Sequence, residues 1–146
     1  MSNNINKQTV DKLTILFPAQ KLQLNGEEVE IKEYTLLQQL QHNALFMPFV
    51  SSLRTTLSKD EAEFGLEPLM ACISAHYQDV LDMVALSINK PVEFVNELTG
   101  EDADAVLLTW WTVNSDFFTR KAMQPILERL AKQQAETLIG AKSSNT

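Results

Sequence analysis

The sequence predicts an α+β fold that is mainly α, with an N-terminal β-hairpin or small meander followed by a bundle of about five helices. An Asn25-Gly26 pair lies between two short alternating segments, which is typical of a two-residue hairpin turn. From Thr35 onward, apolar residues recur every three or four positions, as they do in amphipathic helices. The chain has 146 residues with only four glycines and five prolines, which favours one compact domain.

We expect this single domain to cover residues 10–139, with the hairpin in residues 13–33 and the helices in residues 35–138. The segments 1–9 and 140–146 are polar and small, and we expect both to be flexible because they have little to bury.

The hairpin follows from its turn and from its alternation. A first strand is predicted at Leu13 to Phe17, because apolar residues alternate there until Pro18. The Asn25-Gly26 turn then fixes a register that pairs Leu24 with Glu27, Leu22 with Val29, Lys21 with Glu30 and Gln20 with Ile31.

The first predicted helix begins after Thr35, whose hydroxyl can cap it. Leu37, Leu40 and Ala44 fall on one face and are expected to contact the core. Pro48 is expected to end or kink this helix, because proline lacks the N–H that a helix interior needs.

Two more helices are predicted before residue 90. Ser58 and Glu61 form a capping box, which opens a short helix. A longer helix follows Pro68. Its apolar residues recur at helical spacing and are expected to face the core: Met70, Ile73, Tyr77, Val80 or Leu81, Val84 and Ile88.

After Pro91 the pattern predicts a short turn of helix, and then a strongly apolar helix after Gly100. Pro125 is expected to interrupt this helix. A final helix is predicted from the apolar residues beyond it: Ile126, Leu127, Leu130 and Leu138.

Four aromatic residues in the long apolar helix are the candidate protein-binding residues: Trp110, Trp111, Phe117 and Phe118. Adjacent residues on a helix point about 100° apart, so it is difficult to bury both tryptophans in a small domain. Core packing and partner binding remain open for this set, and we expect at least one tryptophan to contact a partner because tryptophan is enriched in binding hot spots.

The composition argues against several functional classes. The net charge of −7 would repel a nucleic-acid backbone. No metal site is predicted, because His42, His76 and Cys72 are too few to complete a tetrahedral ligand set. We find no glycine-rich phosphate loop and no nucleophile motif, so we expect no cofactor and no enzyme activity.

The expected compartment follows from the same residues. The N-terminal residues lack an apolar signal segment, and no apolar run approaches the ~20 residues that cross a bilayer. Cys72 is the single cysteine, and we expect a buried thiol in a reducing compartment.

Two segments carry a resemblance to a known family. The segment LNGEEVEIKEYTLLQQL passes from an extended region directly into a helix, and the late segment TWWTVNSDFFTRKAMQPIL contains an aromatic run, then Val-Asn, then Phe-Phe. Together they resemble the small tail assembly chaperones of tailed bacteriophages and prophages.

This resemblance implies a protein of the host cytoplasm that binds the hydrophobic helical tape measure protein. It would keep this client soluble until tail tube subunits polymerise around it, and it would not be retained in the mature virion. The tail tube protein is a further possible partner, and so is a second copy of the chain. Members of the family are often made together with a frameshifted longer form.

Two other functions remain open. One is a structural tail component, such as a tail completion or connector subunit, which would stay in the particle. The other is a small enzyme in which His76 and Asp79, three residues apart on a helix, orient an imidazole for proton transfer.

Overall fold

The computed structural model describes residues 19–59 and 65–144 of the chain. Within these residues, two strands precede six helices. The strands are β1 (Gln20–Leu24) and β2 (Glu27–Ile31). The helices are α1 (Leu36–Gln41), α2 (Asn43–Lys59), α3 (Leu66–Ala75), α4 (Tyr77–Ile88), α5 (Val92–Asn96) and α6 (Gly100–Ser144). The predicted fold class, α+β and mainly α, is confirmed.

The β-hairpin has the predicted register. β1 and β2 are antiparallel, with Leu22 opposite Val29 and Leu24 opposite Glu27. Asn25 and Gly26 both have positive φ, 53° and 81°, as a two-residue turn of this kind requires. The strand predicted at residues 13–17 lies outside the described residues.

The hairpin is held against the helices at its turn and at its far end. The backbone N–H of Asn25 donates to Asp102 Oδ2 at 2.9 Å, in the first turn of α6. Lys90 forms an ion pair of 2.8 Å with Glu27. At the end of β2, Ser87 Oγ donates to the carbonyl of Lys32 at 2.7 Å. These bonds connect the hairpin to both α4 and α6.

α1 begins as predicted and ends earlier than predicted. The Thr35 hydroxyl accepts from the Gln38 N–H, and the Gln38 side chain accepts from the Thr35 N–H, which completes a capping box. The helix ends at Gln41, and Pro48 lies inside α2. The helix that contains Pro48 does not end there, so the expectation that Pro48 ends a helix is wrong. The carbonyl that this proline leaves without a helical donor belongs to Ala44, which is an exposed residue.

The predicted long helix over residues 69–88 is two helices, α3 and α4, separated at His76. The N–H of His76 donates to the carbonyls of Cys72 and Ile73, which ends α3. Ser58 lies in the last turn of α2 and does not open a new helix, and residues 60–64 lie outside the described part of the chain. Four of the residues predicted to face the core are buried, namely Ile73, Val80, Val84 and Ile88, whereas Met70 and Tyr77 are exposed.

α6 is a single helix of 45 residues that contains Pro125, so the predicted interruption is wrong. The proline leaves the carbonyl of Lys121 without its helical donor, and Lys121 is exposed to water. The neighbouring carbonyl, that of Ala122, accepts a hydrogen bond of 2.9 Å from Arg54 Nε. The helix runs to Ser144, beyond the predicted end at residue 138 and into the segment that we expected to be flexible.

The core lies where the hairpin, α2, α4 and the first half of α6 meet. Its largest fully buried side chains are Trp110, Phe49, Phe118, Leu24, Ile31, Leu53 and Met83. Although α6 is long, no helix within residues 19–59 and 65–144 is apolar enough over a sufficient length to cross a membrane.

Candidate functional site

The four aromatic residues predicted to bind a partner have different environments. Trp110, Phe117 and Phe118 are buried, with at most 5% of each residue exposed. Trp110 and Phe118 lie 5.4 Å apart between ring centroids, and both pack against Phe49. Their burial corrects the prediction of these three as partner-binding residues, because the half of α6 that carries them packs against α2, α4 and the hairpin.

Trp110 also has a buried polar contact. Its indole N–H donates to the Tyr34 hydroxyl oxygen at 2.9 Å, and the hydroxyl donates in turn to the carbonyl of Met83. Burial raises the pKa of Tyr34 well above its usual range, and the hydrogen bond from Trp110 opposes this shift to a smaller extent. The pair stabilises the core and does not face a cleft.

The Val-Asn and Phe-Phe pairs of the late segment are also core residues. Asn114 is fully buried, and its Nδ2 donates to Ser87 Oγ at 3.4 Å and to the carbonyl of Trp110 at 3.2 Å. Its Oδ1 has no hydrogen-bond partner within the described residues. The residues behind the resemblance to tail assembly chaperones therefore shape the interior of this domain.

Trp111 is the member of the aromatic set that reaches the surface. It is half-buried, its ring stacks on Phe118 with centroids 6.1 Å apart, and it meets Phe49 edge-on. Leu107 lies one turn before Trp111 on α6, and Leu108 lies beside them and is exposed. These residues form an apolar strip along one side of α6.

This strip borders a groove between α4, α5 and the first turns of α6, which we call the α4–α6 groove. Its volume is about 500 Å³. Its lining is mostly apolar: Tyr77, Gln78, Val80, Leu81, Val84, Val95, Asn96, Leu98, Ala103, Val106 and Leu107. Since Tyr77 is also exposed, the apolar surface continues out of the groove. A groove of this kind can accept the apolar side of a helix.

The charges beside the α4–α6 groove are acidic. Glu97 and Asp104 are exposed and adjoin lining residues in the sequence. Glu93 on α5 and Glu101 on α6 are also exposed. Gln78 and Asn96 are the polar residues of the lining. The surroundings therefore favour a ligand whose apolar side is flanked by basic side chains.

The pair considered for catalysis does not form a dyad. His76 and Asp79 are both half-buried, and within the described chain no hydrogen bond joins them. The His76 ring instead meets the ring of Phe49 edge-on, with centroids 6.5 Å apart. Among the described residues, no group of three or more His, Cys, Asp or Glu side chains is arranged to hold a metal ion.

Two further apolar surfaces are exposed. The first, which we call the α1 patch, consists of Leu36, Leu37, Leu40 and Met47. We predicted Leu37 and Leu40 as core residues, which is wrong, because the short helix turns that side away from the bundle. The second is the end of α6, residues 127–144, which we call the α6 arm and which carries exposed Leu127, Leu130, Leu138 and Ile139.

The sequence indicated Trp111 as a candidate and did not indicate the α4–α6 groove. The groove depends on how far apart three helices lie, and no local pattern contains this distance. Leu108 is exposed and widens the apolar side of α6 beyond the usual arc of about 100°.

One comparison with known proteins gives a match. The model of a protein family whose function is unknown matches residues 12–146. No curated protein and no solved structure matches the chain.

Proposed function

The chain belongs to DUF6631, a family of unknown function, and we propose that it acts as a tail assembly chaperone for a phage tape measure protein. In this role it binds hydrophobic helical segments of the tape measure protein in the host cytoplasm and keeps them soluble. It releases them when tail tube subunits assemble, and it is not retained in the mature virion.

The observation that carries the proposal is the apolar α4–α6 groove beside Trp111 and Leu108. An amphipathic client helix inserts apolar side chains, spaced three or four residues apart, against Val80, Leu81 and Val95. Trp111 and Leu108 contact the side of the same helix. Such a cluster of aromatic and aliphatic side chains is the usual source of binding energy in a protein interface.

Charge supports the same client. The acidic residues beside the groove favour basic side chains on the client, and the net charge of −7 keeps a chaperone–client complex from associating further. A long tape measure protein offers many such helical segments, so several copies of this chain would bind along it. Because each groove is small, each contact is weak enough to be reversed as tube subunits cover the client.

The test is co-expression with the tape measure protein of the same phage or prophage genome. The chain is expected to keep this client in the supernatant and to co-purify with it. Leu108→Glu is expected to weaken binding about tenfold, because it places a carboxylate in the apolar contact and beside acidic neighbours. Leu37→Glu on α1 is the matched control, since Leu37 and Leu108 are 63% and 62% exposed.

If the client is equally insoluble with and without the chain, the chaperone proposal fails. If Leu37→Glu and Leu108→Glu weaken capture equally, the α4–α6 groove is not the binding site. Mass spectrometry of purified virions separates the remaining alternative, because a tail completion or connector subunit would be found in the particle.

A further inference from the structure

The α6 arm has an apolar seam that nothing in the described chain covers. Between residues 100 and 140 of α6, Ala122 is the last buried residue, and every residue from Leu127 to Gly140 is exposed. The residues of the seam are separated alternately by four and by three positions, which is the spacing of a coiled coil. Its positions are Met123, Leu127, Leu130, Gln134 and Thr137, with Leu138 beside them.

We propose that the α6 arm is a dimerisation surface on which two copies of this chain pair their arms in antiparallel orientation. This inference concerns a surface separate from the α4–α6 groove and does not depend on the proposed function. The occupant is a second copy because of how charge is distributed on the arm and on the rest of the chain.

The charges of the arm lie away from the seam. Lys142 near the end of the arm adds one positive charge, whereas the whole chain carries −7. Between residues 127 and 140 the charged residues are Glu128, Arg129, Lys132 and Glu136, which sum to zero. At about 100° per residue, all four point at least about 120° from the centre of the seam. The positions that flank the seam are uncharged, so two identical arms meet without repulsion, and no charged side chain there selects a different partner.

The same charges set the orientation. A parallel pair would place two acidic domains side by side at one end of the coiled coil. An antiparallel pair places them at opposite ends, where distance and salt reduce the repulsion. Antiparallel pairing therefore costs less electrostatic free energy.

The two polar residues of the seam fit an antiparallel register in which Gln134 of one arm lies opposite Thr137 of the other. The hydroxyl of Thr137 donates to the carbonyl of Gln133 at 2.9 Å, which leaves its oxygen able to accept a further hydrogen bond. Nε2 of Gln134 in the second copy can donate to it. The twofold axis repeats this bond, so each Gln134 amide and each Thr137 hydroxyl gains a hydrogen bond across the seam.

The contact is small. Eighteen helical residues extend about 27 Å, and a helix is about 10 Å wide, so the seam alone buries less than the ~1,200 Å² of a typical stable interface. We therefore expect a reversible dimer whose population rises with protein concentration.

Sedimentation velocity over a range of concentrations tests the surface. The unmodified full chain is expected to shift from monomer to dimer as its concentration rises, and Leu130→Glu is expected to abolish the shift. Ile139→Glu is the matched control. It adds the same charge at an exposed residue, since Ile139 is 66% exposed and Leu130 is 51% exposed. Ile139 points about 160° away from the seam.

A chain that stays monomeric at every concentration overturns the proposal. Equal loss of the dimer in the two glutamate variants also overturns it, and so does a dimer that survives Leu130→Glu. Leu130 and Leu108 lie on different surfaces, so Leu130→Glu is expected to leave client capture unchanged. Client capture by this variant therefore distinguishes a failure of the dimer proposal from a failure of the proposed function.

Cross-linking with a short bis-maleimide tests the orientation, in a chain in which buried Cys72 is replaced by serine. In the antiparallel register the two copies of residue 134 are offset by about 4.5 Å along the axis, and those of residue 127 by about 25 Å. Gln134→Cys is therefore expected to cross-link and Leu127→Cys is not. Efficient cross-linking of both variants would indicate parallel arms and overturn the proposed register.

Discussion

Trp110 and Tyr34, which lie 76 residues apart in the sequence, are joined by a buried hydrogen bond of 2.9 Å from the indole nitrogen to the phenol oxygen. The same hydroxyl donates to the carbonyl of Met83 in α4. The segment after the hairpin, α4 and α6 are therefore linked at a single oxygen atom in the core.

Tyr34→Phe is expected to lower the free energy of unfolding by about 2 kcal/mol, because the buried indole N–H of Trp110 loses its acceptor. Urea denaturation measures the change. Tyr77→Phe is the control, since Tyr77 is 58% exposed, and a change within about 0.5 kcal/mol is expected there. Equal losses in the two variants would contradict the role given to the Tyr34 hydroxyl.

Tyr34 also predicts a dependence of stability on alkaline pH. Its pKa is raised in the folded state by burial, so the unfolded chain releases this proton first as pH rises. The contribution of Tyr34 is therefore fully present below the ordinary tyrosine pKa of about 10 and is lost as pH rises toward the folded value. The free energy of unfolding, measured between neutral and strongly alkaline pH, should fall less steeply with pH for Tyr34→Phe than for the unmodified chain. Identical pH profiles of the unfolding free energy for the two chains would contradict the raised pKa of Tyr34.

The two neighbouring tryptophans are expected to separate stability from binding. Trp110→Ala should cost about 3–5 kcal/mol of unfolding free energy, because it leaves a cavity in the core. Trp111→Ala should cost less stability and should weaken client capture more than it lowers the melting temperature. Thermal denaturation and pull-down of the tape measure protein measure both effects, and the reverse ranking would assign Trp111 to the core.

Asn114 has a buried oxygen without a partner and only long hydrogen bonds from its nitrogen. Asn114→Leu is therefore expected to keep the unfolding free energy within about 1 kcal/mol, because removal of the unpaired acceptor offsets the cost of fitting a larger side chain. Asn114→Ala should lose more, since it leaves a cavity. A loss above about 3 kcal/mol for Asn114→Leu would show that the amide is needed.

The hairpin turn supplies a test of backbone conformation. Gly26 has φ of +81°, and a Cβ added there would meet no atom within 4 Å. Gly26→Ala is thus expected to cost about 1 kcal/mol through backbone conformation alone. Gly140→Ala, in the exposed helix of the arm, should cause no loss because alanine favours helix over glycine. A larger effect at Gly140 than at Gly26 would contradict this account.

Local signals predicted the hairpin and tertiary contacts decided the rest. The Asn25-Gly26 turn fixes the register of the local segment from Gln20 to Ile31, so the sequence was sufficient. Leu37 and Leu40 have helical spacing, yet spacing alone does not say whether a neighbour covers that side, and none does in the described chain. Phe117 was left between core and surface, because the burial of both sides of α6 was not visible from its own sequence.

The bonds from Asn25 to Asp102 and from Tyr34 to Trp110 span more than half of the chain. During synthesis the early segments therefore leave the ribosome long before their partners do. The aromatic side chains of the early segments lack their α6 partners until α6 has left the ribosome, and the core can pack only then. A translational pause at any point before the first half of α6 has left the ribosome would prolong this vulnerable interval.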